Sequence, residues 1–441
     1  MGKLQTPRIT ILGPDPAHRT FLINGSAFQQ QPICTHRGWQ YATWYSARSS
    51  EDPEPLFVHL ARRKLEEEQA WETIVFDDYP QTTDDGHNTI QMGIAADGTI
   101  HLSYDHHCDV IRYRHSGPGV ASNPDMVKWA KPLFTKTLDH IPGLDASHEN
   151  FGYVSYPRFV QAGDVMFLTF RTGKAGLGDD LLYVYQSKED RMGEYKYLGT
   201  NIHGVQNNPY IHGLDYKNGA LHASWVWRGF VEYPGWDDPL DTKHKQQAGP
   251  NGAENNYDIC YAYSDDDGVT WKNGLGETIA DMRKGESISP SSPGITALEI
   301  PKGSGLTNQE SQVVDNEGRV FVLNRDHTDG PATWNLYWRS VDGKWTRQPI
   351  TLVAPGKRGQ LAMAPNGDVL LVLPDVNKKQ LKILRATKRS AFSVFEELWC
   401  GDSYWGEPLV DHFGPDNSLS VFAVSGNETK RDVVVLDFDL E

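Results

Sequence analysis

The chain reads as an all-β protein, a seven-bladed β-propeller built from four-stranded antiparallel blades, and three observations predict this. A short turn of Gly, Asp or Asn followed by an alternating strand recurs seven times along the 441 residues. A third strand-like run, often ending in Ser, follows several of these hairpins. Aromatic residues make up 11% of the chain, with 13 Trp and 19 Tyr, which favours strands over long helices.

The first turn is His36-Arg-Gly-Trp39, leading into Gln-Tyr-Ala-Thr-Trp-Tyr45. Then come Asp97-Gly-Thr-Ile-His-Leu-Ser-Tyr104, Gly163-Asp-Val-Met-Phe-Leu-Thr-Phe170 and Asn218-Gly-Ala-Leu-His-Ala-Ser-Trp225. The last three are Glu317-Gly-Arg-Val-Phe-Val-Leu-Asn324, Asn366-Gly-Asp-Val-Leu-Leu-Val-Leu373 and Asp416-Asn-Ser-Leu-Ser-Val-Phe-Ala423. Asp-Gly and Asn-Gly between alternating runs are strong hairpin signals, because tight hairpin turns need a positive φ. Third strands are expected at Ile111–Ser116, Leu182–Ser187, Cys260–Ser264 and Leu336–Ser340. Two of these continue into Ser264-Asp-Asp-Asp-Gly-Val-Thr-Trp271 and Ser340-Val-Asp-Gly-Lys-Trp345, a complete and a degenerate Asp-box. Such a box marks a propeller-blade turn and carries no catalysis.

Seven such units fill residues 1–441 as a single propeller domain. Gly219 and Gly318 stand 99 positions apart, too far for one blade. The excess is expected as surface insertions near 234–256 and 284–306, possible borders of a substrate cleft. Either the C-terminal run Val433–Leu440 or Arg8–Leu12 is expected to close the ring. The best short helix candidate is Glu54–Glu68.

A net charge of −16 argues against nucleic acid and anionic membranes as partners. An anionic ligand must therefore be met by a local basic cluster. No apolar run approaches the roughly 18 residues of a membrane span, and the start, Met1-Gly-Lys-Leu-Gln-Thr-Pro7, shows no signal-peptide h-region. Cys34, Cys108, Cys260 and Cys400 form no CxxC pair and read as buried reduced thiols.

Hairpin geometry places the chemistry. The start of a blade's first strand and the end of its second share one mouth of the channel. For the Gly98 blade this brings together His87, Asn88 and Asp105–His107. For the Gly163 blade it brings Tyr156, Arg158 and Arg171. For the Gly219 blade it brings Asn208, Tyr210, Trp227 and Arg228, and for the Gly318 blade Gln309, Arg325 and His327. Alternation sends His106 away from His107, so His107 alone is expected to face the channel with His87. That split argues against a metal site in Asp105-His-His-Cys108, and no metal is expected; a structural calcium elsewhere is allowed. Of Trp225 and Trp227, one is expected in the core and one in the cleft. His101 and His222, inside strands, read as structural. Arg228 and Arg325 fit either ligand binding or inter-blade salt bridges. Arginines, imidazoles, tyrosines and amides meeting at one mouth of an acidic protein suit a carboxylate-bearing ligand.

Asp84-Asp-Gly-His-Asn88, Asp97–His107, Ser155-Tyr-Pro-Arg-Phe159 and Phe170-Arg-Thr-Gly-Lys-Ala-Gly176 resemble the BNR-repeat propeller family that includes ulvan lyases. Within it the chain is most similar to fungal L-rhamnose-α-1,4-D-glucuronate lyases acting on gum arabic. The specific motifs cover about residues 80–175. The resemblance implies a polysaccharide lyase cleaving a glycosidic bond at C4 of a uronic acid by β-elimination. His87 and His107 match the family's paired histidines, Tyr156 its tyrosine (with Tyr153 as a competitor) and Arg171 its arginine. Lys174-Ala175 departs from the Ser-Gly expected there. Asn88, Tyr153, Arg158, Tyr210, Trp227, Arg228, Gln309, Arg325 and His327 are then expected to line the substrate. The partner would be a uronic-acid-containing polysaccharide and the protein a monomer needing no cofactor. The substrate class suggests an extracellular setting. The alternatives are an ulvan lyase, a glycoside hydrolase acting on the rhamnosyl-glucuronate linkage, and a non-catalytic uronate-glycan-binding propeller. A sialidase is less suited, as the nearest approach to its Arg-Ile-Pro signal is Arg8-Ile-Thr.

Overall fold

Strands such as Trp39–Ser46 and Val369–Asp375 are buried along their whole length. A sheet apolar on both faces must be covered twice, and a closed ring of sheets achieves this for every blade at once. The computed structural model, which describes residues 2–28, 31–49, 51–65, 70–188, 191–240 and 249–440, is such a ring, a seven-bladed β-propeller.

Blade one comprises Ile33–His36, Trp39–Ser46, Leu56–Lys64 and Glu72–Gln81. Blade two has three strands, Ile90–Ile94, Ile100–Tyr104 and Tyr113–His115. Isolated bridges at Phe134 and Leu138 stand where its fourth would be. Blade three runs Val154–Ala162, Val165–Lys174, Leu177–Gln186 and Glu194–Ile202, with the short strand His107–Asp109 added at its inner edge. Blade four runs Asn207–Lys217, Ala220–Gly229, Asn256–Ser264, Thr270–Lys272 and Thr278–Asp281, and Thr296–Leu298 also pairs with Asn256–Ser264. Blade five is Ser311–Val314, Val320–Asp326, Thr333–Arg339 and Trp345–Ile350. Blade six is Gln360–Met363, Val369–Asp375, Gln380–Ala386 and Phe395–Asp402. Blade seven is Tyr404–Val410, Ser418–Gly426 and Arg431–Asp439, completed on its outer edge by Arg8–Asp15.

All seven repeated turns join the first and second strands of a blade. Gly98 shows why glycine is required at such a turn. Its φ is +77°, and a Cβ there would lie 2.7 Å from the backbone nitrogen of Ser122. The complete Asp-box turns between strands of blade four. Asp266 accepts from Ser264 Oγ and from the backbone N–H of Thr270, and Trp271 is buried beneath.

Among the described residues, seven apolar clusters fill the seven gaps between neighbouring blades. The one between blades seven and one joins Leu409, Phe422, Val433 and Val435 to Ile33, Ala42 and Trp44. Closure uses both ends of the chain, since Arg8–Asp15 pairs antiparallel with Arg431–Asp439. Buried ion pairs tie this seam together: Arg431 Nε lies 2.9 Å from Asp15, and Arg63 2.7 Å from Asp437.

Three sequence expectations give way here. The helix expected at Glu54–Glu68 is instead the third strand of blade one, Leu56–Lys64, with residues 66–68 outside the described set. Pairing on both sides and burial on both faces outweigh local helix propensity. Trp225 and Trp227 are both buried, packed edge to face at 5.8 Å between blades three and four. Two positions apart on one strand, they share a face, and that face is closed by the neighbouring blade. Cys400, on the outermost strand of blade six, is exposed, whereas Cys34, Cys108 and Cys260 are buried free thiols.

Residues 230–240 and 249–255 lie between the second and third strands of blade four. Residues 282–310 link it to blade five and bury Ile288, Ile295, Ile300 and Leu306. The cavity at the axis, about 370 Å³, is lined from the first strands of blades three to six and by Asp411–Gly414.

Arg431→Met leaves the Asp15 carboxylate buried beside Asn24 without its cation. A loss of about 3–5 kcal/mol is expected at pH 7, read from the denaturant midpoint. It should shrink as pH falls and Asp15 protonates. An unchanged midpoint would show that the pair contributes nothing to closure.

Candidate active site

The link from blade one to blade two makes a tight turn at Asp84–Asn88. Asp85 Oδ1 accepts from the His87 backbone N–H at 2.9 Å, a side-chain turn that folds the segment under its own carboxylate. The same oxygen lies 2.5 Å from His87 Nδ1. His107 arrives from the other end of blade two. After Asp105, whose φ is +62°, the chain leaves blade two and pairs as His107–Asp109 with Val154–Ser155 of blade three. There His107 Nδ1 lies 2.7 Å from Asp85 Oδ2. One carboxylate thus holds two imidazoles, which stack at 4.0 Å with 17° between their planes. An ionised carboxylate only accepts, so each Nδ1 carries a proton, and a ring that is neutral keeps its lone pair on Nε2.

Burial alone would raise the Asp85 carboxyl. Hydrogen bonds from His107 and His87 outweigh it and hold the group well below the usual carboxylate range. Burial pushes the His107 imidazole down to about 4, with the charges of His87 and Arg171 adding to the effect and Asp85 opposing it. At neutral pH His107 is therefore a neutral ring, able to accept a proton at Nε2.

Tyr156 reaches the site through a distortion. The pairing of Val154–Ala162 with Val165–Lys174 shifts register between Ser155 and Arg158, and Tyr156 has φ +56°. Such a bulge re-aims a side chain that regular alternation would send elsewhere. Its ring lies 6.0 Å from His87 and 6.2 Å from His107. Burial raises its hydroxyl pKa, so it is a protonated phenol at neutral pH.

Two guanidiniums share the next hydroxyl. Arg171 Nη1 donates to Tyr210 Oη at 3.1 Å and Arg228 Nη1 donates to it at 3.3 Å. Arg171 also reaches Ser155 Oγ at 3.0 Å and Cys108 Sγ at 3.1 Å, and lies over the Tyr156 ring at 4.8 Å. Arg228 is fixed by Asn256 Oδ1 and Asn308 Oδ1. Among the described residues neither guanidinium has a carboxylate within ion-pair distance. Two buried cations without an anion are costly, and a bound carboxylate would relieve both. On the far side, Phe28 stacks on His87 at 4.3 Å and Arg358 lies over Phe28 at 4.1 Å, itself paired with Glu407.

The structure thus brings together His87, His107, Tyr156, Arg171, Tyr210 and Arg228. Tyr153 stands beside them, half-buried against Cys108. Asn88 is buried just below, donating to Asp105 Oδ1 at 2.7 Å. Gln309 accepts from Asn308, which bridges Arg228 to this side. Other expected ligands lie elsewhere. Arg158 lines the axial cavity with His212, Asp215 and Glu310, and its guanidinium makes no hydrogen bond to a described residue. The bulge at Tyr156 moves it one step deeper than regular register would. Trp227 is core, as above. Arg325 turns into the gap between blades five and six, bonded to Thr307 and the Gly356 carbonyl with Glu310 at 3.6 Å. His327 is exposed over Gly305. His106 is buried behind the site, accepting from the Arg112 backbone N–H, as alternation predicts. His101 and His222 are bonded to Tyr113 and Tyr261 inside their blades.

Sequence reasoning missed Asp85, Phe28, Arg358 and Cys108. Asp85 carried a signal, an Asp two positions before a His in a Gly turn. Phe28 carried none, because it belongs to the crossover between the closing strand and blade one. Asp85, His87 and His107 also offer ligand atoms within 4.8 Å of one another and could hold a metal ion. Both Asp85 oxygens are already engaged by the two imidazoles.

Residues 39–352 match the BNR repeat-containing family. An ulvan lyase, long isoform, of Glaciecola sp. (strain KUL10) is 25% identical over 309 residues, covering 58% of this chain and 28% of that protein. The chain therefore spans under a third of that relative's length. The crystal structure of polysaccharide lyase Uly1 superposes with a TM-score of 0.70 over 100% of both chains at 18% identity. A family PL25 ulvan lyase bound to -[GlcA(1-4)Rha3S]- superposes with a TM-score of 0.65 at 12% identity, over 98% of this chain and 94% of that one. At these identities the superpositions speak for the fold.

The carboxylate-bridged pair makes a spectroscopic prediction. The His107 ring should stay neutral, with its proton on Nδ1, down to about pH 4 in a nitrogen-detected titration. A midpoint near the ordinary 6.5 would contradict the geometry.

Proposed function

We propose, from the premise that the chain belongs to the BNR repeat-containing family, that it is a polysaccharide lyase cleaving the bond at C4 of a uronic acid by β-elimination. The observation that carries this reading is the pair of imidazoles held by Asp85 beside Tyr156 and two carboxylate-free arginines.

The reaction removes the proton at C5, alpha to the carboxylate, and expels the oxygen at C4. The intermediate carries a second negative charge on the carboxylate, which must be neutralised. Arg171 and Arg228, joined through Tyr210, are placed for that. His107 Nε2 takes the C5 proton; Asp85 keeps its tautomer fixed and stabilises the imidazolium that forms. His87, held by the same carboxylate, sets the position of His107 and offers a second acceptor. Tyr156, kept protonated by burial, donates to the leaving oxygen. In a glucuronate chair the C5 hydrogen and C4 oxygen lie on one side of the ring, so one face of the site serves both transfers. No redox cofactor enters this chemistry.

For the substrate, we favour release of L-rhamnose from α-1,4-linked D-glucuronate in gum arabic-type glycans. The neighbouring reading is ulvan, which the name of the Glaciecola relative specifies and which also joins rhamnose and glucuronate units. A hydrolase finds less support, because the carboxylate at the centre has both oxygens occupied by imidazoles.

The test is incubation with gum arabic and with ulvan, following near-ultraviolet absorbance and released sugar. Elimination leaves a 4,5-double bond that absorbs; a binding propeller gives no change. His107→Ala should lower kcat/KM by about 10²–10⁴, with an unchanged melting midpoint. Asp85→Asn should lower it by a comparable factor, because the imidazole loses its fixed tautomer. Wild-type-like rates from His87→Ala and His107→Ala would refute the assignment.

A further inference from the structure

The connection from Gly229 to Asn256 starts directly after Arg228. We infer that its described beginning, with neighbouring cations, forms a second carbohydrate subsite. Phe230, Trp236 and Tyr257 with Lys174 and Lys302 would take an anionic sugar residue adjoining the one at Arg171 and Arg228. The word adjoining rests on the uronate-lyase reading; the subsite itself does not.

Four observations support it. Phe230 and Trp236 meet edge to face at 5.2 Å, and both remain half-buried rather than closed into a core. Lys174, three residues after Arg171, donates to the Trp236 carbonyl and holds its ammonium 5.8 Å from that ring. Lys302 Nζ stands 5.3 Å from the Tyr257 ring, and a Cβ on Gly229 would come within 2.2 Å of it. A side chain at Gly229 would therefore displace this ammonium. Neither lysine has a carboxylate partner among the described residues, in a chain of net charge −16.

The shelf is also held in place before any ligand arrives. Asn251 bonds the Val231 backbone at both its N–H and its carbonyl, at 2.7 and 2.9 Å. Tyr257 Oη donates to Asn207 Oδ1 at 2.9 Å, and Asn208 Nδ2 donates to the Lys174 carbonyl at 2.9 Å. Aromatic edges and faces suit the apolar face of a pyranose, and ammonium groups beside them suit its carboxylate or sulfate. The occupant is thus a uronate or sulfated sugar of the same polymer, and the site reads a chain rather than one sugar.

Equilibrium binding tests this in a His107→Ala background, which removes turnover. Trp236→Ala and Lys302→Gln should each raise the Kd for ulvan or gum arabic about tenfold. The Kd for free glucuronate, which the arginines alone can hold, should stay as in the parent. Trp236→Phe should recover most of the loss, and equal melting midpoints exclude a folding defect. Comparing ulvan with its desulfated form assigns the anion: loss confined to the sulfated chain means sulfate, equal loss means carboxylate. An unchanged polymer Kd, an equal rise for polymer and glucuronate, or a parent that binds no acidic polysaccharide overturns the subsite. If the protein without the His107 substitution yields no unsaturated product while Trp236→Ala still weakens binding, the lyase reading falls and the subsite stands.

Discussion

Everything at the mouth of this propeller depends on one carboxylate. Asp85 gives one oxygen to His87 and the other to His107 and so fixes two rings, two tautomers and one stacking distance. Without it two neighbouring imidazoles would compete for water, and their exposed nitrogens would be set by chance. With it, both Nε2 atoms face away from the carboxylate, and the neutral His107 keeps its lone pair there. The depressed pKa of Asp85 expresses this arrangement, whereas the low pKa of His107 comes from burial, which the bond to Asp85 only partly offsets. A base that is neutral at working pH and pre-oriented needs little reorganisation in the transition state.

That arrangement draws on parts far apart in sequence. Asp85 and His87 come from the turn before blade two, and His107 from a strand that has left blade two for blade three. Tyr156 comes from a bulge in blade three, and Arg171 and Arg228 from the second-strand ends of blades three and four. Phe28, on the outer face of His87, belongs to the segment that ties the closing strand to blade one. Completing the ring and completing the site are therefore linked. The seven inter-blade clusters supply the rigidity that lets left-handed residues such as Tyr156 and Asp105 persist at the mouth.

The blade pattern was legible because a hairpin is a local object. Six of the seven turns carry a glycine at positive φ and the strands alternate, so all seven first hairpins could be read from the residues alone. Burial on both faces was also visible in runs such as Val369–Leu373, although it misleads where alternation is used to separate core from cleft. Trp227 shows this, since it lies two positions from Trp225 and points into the same gap between blades three and four. His87, His107, Arg171, Tyr210 and Arg228 were legible through counting outward from each turn. Arg158, Arg325 and His327 were misplaced because that count assumes regular register. One bulge at Tyr156, and the local pull of Thr307 and the Gly356 carbonyl on Arg325, are enough to break it. Phe28 and Arg358 could not be counted at all, as they reach the site from a crossover and from an inter-blade link.

In the proposed reaction this site breaks a carbon–oxygen bond by removing a proton and not by adding water. Cleavage of a rhamnose–glucuronate glycan in ¹⁸O-labelled water separates the two directly. Elimination gives products free of the label, with the oxygen at C4 leaving on the departing sugar. Label incorporated into the newly formed reducing end of a saturated product would contradict it.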